Sequence, residues 1–98
     1  MTHSPLLQAG DIVHPHRESP AAERPSFTGL LAAMRRGRPV VVNTVQVEWS
    51  SVGLVLDTRI GRFGIEGGEH DDALVLFPEG LCRVPEWNLR RVPPESHL

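Results

Sequence analysis

Between Val52 and Val92 the chain has little choice but to double back on itself several times. VGLVLDTRI is followed by a glycine-rich polar stretch, then by ALVLF, Pro78-Glu79-Gly80, LCRV, PEWNL and RRV. The apolar residues alternate or run together over only a few positions, a length that suits strands. Pro78 presets the backbone for the first corner of a tight turn, and Gly80 supplies the positive φ. PEWNL suits a single 3₁₀ turn before a closing strand at Arg90 to Val92. Short strands joined this closely predict a small antiparallel barrel.

The preceding half is less regular. Gly10-Asp11 leads into Ile12 and Val13, a turn opening a first strand. Pro15 to Pro25 carries three prolines among alternating charges, which predicts a surface loop. Ser26 to Gly37 (SFTGLLAAMRRG) is the helical candidate. Ser26 or Thr28 would cap it, Leu30, Leu31 and Met34 give helical spacing, and Arg35 and Arg36 suit the C-terminal dipole. An irregular loop is the competing reading, because Gly29 falls in the first turn. Val40 to Trp49 predicts a strand with Val45, Val47 and Trp49 on one face. Val52 to Ile60 predicts another, with Gly53 allowing close backbone approach. The expected fold is therefore mainly β, a five-stranded barrel with one short helix or irregular insertion.

Ninety-eight residues make a single domain, 1–98, with 1–5 and 93–98 as flexible or partner-bound tails. The net charge of −2 gives no support to general nucleic-acid binding. Every basic residue apart from histidine is arginine. The lone Cys82 cannot form an internal disulfide and reads as a small buried hydrophobe. No stretch is apolar enough to cross a bilayer, and MTHSPLLQAG is not a secretory signal.

The order of elements resembles the Src-homology-3 (SH3)-like small barrels, chiefly over residues 52–92. GLVLDTR, ALVLFPEG and RVPEWNLRRV look like short proteins of tailed bacteriophages. Those share a G-x-V-x-D strand, a V-x-F/W-x-x-G hairpin, and a tryptophan and leucine before the last strand. Here these are Gly53, Val55 and Asp57, then Val75, Phe77 and Gly80, then Trp87 and Leu89. Ser26 to Trp49 departs from the minimal pattern as an insertion. The resemblance implies a virion component, located in the virion or in the cytoplasm of the bacterial host.

No catalytic or cofactor constellation stands out, and no enzyme is expected. His14-Pro15-His16 lacks the ligand set of a structural zinc. Glu69-His70-Asp71-Asp72 lacks the alternate carboxylates of a calcium loop. Trp87 is expected to plug the core beneath the last turn. Arg35, Arg36, Arg38, Arg83, Arg90 and Arg91 could form a stripe against phosphates, but are expected to pair with acids of this chain or a neighbour. The candidate interface lies in the loops and the Arg35–Arg38 region. It comprises Arg17 and Glu18 in the first loop, Arg35, Arg36 and Arg38, and then Phe63, Ile65, Glu69 and Asp71 in the second loop. The expected role is a structural or adaptor protein docking onto subunits of a phage capsid, neck or tail. The alternative is an intracellular regulator that binds nucleic acid or a host protein through the barrel surface.

Overall fold

A computed structural model of the chain describes residues 6–16, 25–61 and 71–92. Seven strands form one antiparallel sheet: β1 (Ile12–Pro15), β2 (Ser26–Arg35), β3 (Arg38–Glu48), β4 (Gly53–Asp57), β5 (Asp72–Phe77), β6 (Gly80–Pro85) and β7 (Leu89–Arg91). Their order across the sheet is β3-β2-β6-β5-β4-β1-β7. A single 3₁₀ turn, Glu86–Asn88, sits where PEWNL predicts it.

The sheet curls so that one of its faces becomes the interior. Val13, Val47, Val55, Val75, Val84 and Cys82 point inward from five different strands and are essentially sealed from solvent. Phe77, Ala73, Leu89 and Leu7 complete this core, with Phe27 and Val45 packed against it. Each fully buried valine contributes about 1.5–3 kcal/mol relative to an exposed one. Burial also pushes the Cys82 thiol up to about 11, with Glu79 adding to the effect, so the thiol stays protonated at neutral pH.

Two sequence expectations are corrected. Ser26–Arg35 is a strand, not a helix or loop, and among the described residues the sheet has seven strands where a five-stranded barrel was expected. Leu31 faces inward opposite Cys82, while Leu30 faces outward opposite Arg83. The helical spacing is therefore a coincidence of two faces. Arg36 (φ 53°) and Gly37 (φ 77°) both adopt left-handed backbone, which makes the two-residue turn whose twist matches a β-hairpin. The second correction is Trp87, which is 46% exposed instead of plugging the core. The short 3₁₀ turn presents it outward.

The β2–β3 hairpin is the longest feature of the sheet. Its register runs from Ser26↔Glu48 to Arg35↔Arg38, with Val42 left over as a bulge between Leu31↔Asn43 and Ala32↔Val41. β6 joins β2 only at Leu30 and Leu31. At the tip, every residue from Met34 to Arg38 is exposed. Along β3 the Thr44 N–H donates to Asn43 Oδ1 (2.8 Å) and the Glu48 N–H donates to Glu79 Oε2 (3.1 Å).

Candidate interaction surface

With one face buried, the opposite face of β1, β4, β5 and β6 should be polar. It is not. The strand registers place Ile12 opposite Leu54, Leu54 opposite Leu76, and Leu76 opposite Leu81. These residues form a row across four neighbouring strands, about 14 Å long at ordinary strand spacing. Ile12 is 37% exposed, Leu54 38% and Leu76 47%, while Leu81 is half-buried. Leu56 and Val52 extend the exposed apolar surface along the segment that contains β4. Alternation alone does not reveal this row. Val52 to Ile60 is apolar on both faces, so the sequence does not say which face is covered.

The arginines divide into two groups. Arg83 Nε meets Asp72 Oδ2 at 2.8 Å, both side chains being nearly buried, and Arg83 Nη2 donates to the Ile60 carbonyl. Arg91 Nε meets Asp11 Oδ2 at 2.9 Å, and its Nη2 donates to the Leu6 carbonyl. Arg59 pairs with Glu86 and donates to the Leu7 carbonyl. Arg90 donates to the carbonyls of Trp87 and Leu89. Pairing is thus found for Arg83 and Arg91. Arg35, Arg36 and Arg38 are exposed at the hairpin tip and make no ion pair among the described residues.

Of the other candidate interface residues, Arg17, Glu18, Phe63, Ile65 and Glu69 lie outside the described residues. Asp71 is half-buried, and its carbonyl accepts the Glu86 N–H at 3.0 Å. It is therefore not brought near the arginine tip by any strand pairing. His14 Nδ1 lies 3.1 Å from the Pro15 carbonyl, and the His16 N–H donates to the Asn88 carbonyl at 2.7 Å. No three histidine, cysteine or acidic side chains among the described residues are grouped to hold a metal ion. No helix among the described residues is long and apolar enough to cross a membrane.

Glu79, in the β5–β6 turn, ties that turn to the end of β3. Its Oε2 accepts from Ser51 Oγ (2.6 Å) and from the Glu48 N–H (3.1 Å). Desolvation raises the pKa of this carboxyl, but the bonds from Ser51, the Glu48 N–H and its own N–H together outweigh it and leave the value below the ordinary one. A depressed folded value means the clasp is fully stabilising above the unfolded carboxyl range and is lost as pH falls through the folded value. Acid titration of unfolding free energy should therefore show a decline below about pH 4.5 that Glu79→Gln flattens. At neutral pH, Glu79→Ala should cost about 1–3 kcal/mol in urea melts, because two donors lose a charged acceptor.

A scan against family models, a search of curated proteins and a search of solved structures each give no match to this chain.

Proposed function

We propose that the protein is a non-enzymatic structural or adaptor module, with an SH3-like barrel as its rigid body, that docks onto neighbouring protein subunits. The observation that carries this reading is the outward row Ile12, Leu54, Leu76 and Leu81. Single exposed apolar residues are ordinary on a protein surface, but a contiguous patch in register across four strands marks a contact surface. The particle of a tailed phage is the setting that the GLVLDTR, ALVLFPEG and RVPEWNLRRV segments favour. A capsid, neck or tail would supply the neighbouring subunits.

Quantitative mass spectrometry of purified particles from the native source tests this. The protein should be present in several copies per particle. Leu76→Asp changes only an outward side chain, so it should leave the circular dichroism spectrum and melting temperature nearly unchanged. It should also reduce incorporation at least tenfold, since it would bury an unpaired carboxylate in the contact. Absence of the wild-type protein from particles would defeat the proposal, as would full incorporation of Leu76→Asp.

A further inference from the structure

Charge is segregated along this chain in a way the total conceals. From Ser26 to Val47, the whole of β2 and all of β3 except its last residue, there is no aspartate or glutamate. All 12 acids lie elsewhere. The same segment holds three arginines, Arg35, Arg36 and Arg38, within four residues at its tip. Since the whole chain carries −2, the rest of it carries −5 (−2 minus +3). Arg59, Arg83, Arg90 and Arg91 are all occupied by carboxylates or carbonyls of the fold. The tip arginines have no such partner among the described residues.

The turn itself points the same way. Its first central residue adopts a left-handed conformation, where asparagine, aspartate or glycine is the favourable choice. Arg36 occupies that position at φ 53°. An arginine there costs the hairpin stability relative to asparagine, and no ion pair of Arg36 among the described residues offsets it. Arg59 adopts the same conformation (φ 51°) but pairs with Glu86, whereas Arg36 has no carboxylate partner among the described residues.

The geometry points to the β2–β3 tip as a binding site for the phosphate backbone of duplex nucleic acid, with Arg35, Arg36 and Arg38 as the contacting groups. A two-stranded ribbon fits the major groove, which is about 12 Å wide and about 8.5 Å deep. The four closing pairs, Ala32↔Val41 to Arg35↔Arg38, give a reach of about 10 Å. Guanidinium groups bind phosphate in bidentate fashion, and a ribbon without carboxylates brings no repelling charge into the groove. Met34, Val40 and Val42 are also exposed on the ribbon, and an acidic protein surface is the competing partner. The acid-free segment suits either partner; the duplex is favoured by the fit of a two-stranded ribbon to the groove. This site is separate from the apolar row, and neither depends on the other.

Fluorescence anisotropy with a labelled mixed-sequence DNA duplex tests the assignment, using the full chain. With three phosphates neutralised, affinity should fall about 40-fold between about 50 and 200 mM salt. Arg36→Asn removes one contact while easing the turn. It should bind more weakly, fall only about 12-fold over the same salt range, and melt at the same or a higher temperature. Arg35→Gln/Arg36→Asn/Arg38→Gln should abolish binding with the fold intact, whereas Leu76→Asp should bind DNA as the wild type does. No binding to DNA at low salt would overturn the proposal. So would DNA binding that survives the triple substitution. Binding to poly-L-glutamate in place of DNA would also overturn it, and would assign the tip to an acidic protein partner.

Discussion

Gly53→Ala is expected to be the most damaging single-methyl substitution in the protein. A Cβ built on Gly53 would lie 2.6 Å from Val75 Cγ1 and 2.8–2.9 Å from two ring carbons of Phe77. Neither neighbour can yield easily. Val75 is sealed from solvent and Phe77 is 2% exposed, so both are held by the core on their other sides. Gly53 also pairs with Val13, itself sealed from solvent in the core. Overpacking of this kind costs about 1–3 kcal/mol in a typical core, and the short approach here places Gly53→Ala at the upper end or above. Urea denaturation of the variant should show a much lower midpoint with an unchanged m-value. A loss below about 1 kcal/mol would mean that β4 and β5 slide apart more readily than a well-packed core allows.

The second large effect is expected at Arg83 and Asp72. Their side chains are only 11% and 8% exposed, and they face each other on adjacent strands with Nε to Oδ2 at 2.8 Å. The pair closes the outward side of β5 and β6, and Arg83 also holds the Ile60 carbonyl. Removing one member leaves the other charge with little water, a loss of about 3–5 kcal/mol. Arg83→Met should therefore destabilise strongly. Adding Asp72→Leu to Arg83→Met should recover most of that loss, because two apolar side chains replace two desolvated charges. A double-mutant cycle read by thermal melts would show the coupling. Additive losses in the cycle would mean that the pair contributes through packing alone.

The sequence made β1, β3 and the whole second half of the fold legible and left Ser26 to Gly37 open, for a physical reason. β4 to β7 are short, local and joined by turns whose chemistry is explicit: Pro78-Glu79-Gly80, and Pro85 before the 3₁₀ turn. β2 is long, and its apolar residues serve two different environments. Leu31 belongs to the core face, Leu30 is half-buried on the other side, and Met34 is at the exposed tip. Their spacing imitates a helix because each answers to a different neighbour. Arg36-Gly37 carried the correct signal, a two-residue turn between two runs of strand-forming residues, but arginine is not the residue usually found at such a turn. The apolar row was hidden for a related reason. Leu54, Leu56 and Leu76 look like core until the strand pairings show that Gly53, Val55 and Val75 take the inward positions. The tip arginines were visible in the sequence, but whether they had carboxylate partners depended on which strands lay beside them.

The hydrogen bonds along β3 have a consequence for how this protein behaves when crowded. β3 is an outermost strand of eleven residues, and such a strand is an open template for another chain to add to. Pro39 has no amide hydrogen to offer. The Thr44 and Glu48 amides are already satisfied by side chains, and the bulge at Val42 breaks the flat run between Pro39 and Thr44. An incoming strand would find no continuous row of donors to zip onto. The molecule can therefore be gathered at high local concentration through its side-chain surfaces without the β3 edge seeding a fibril.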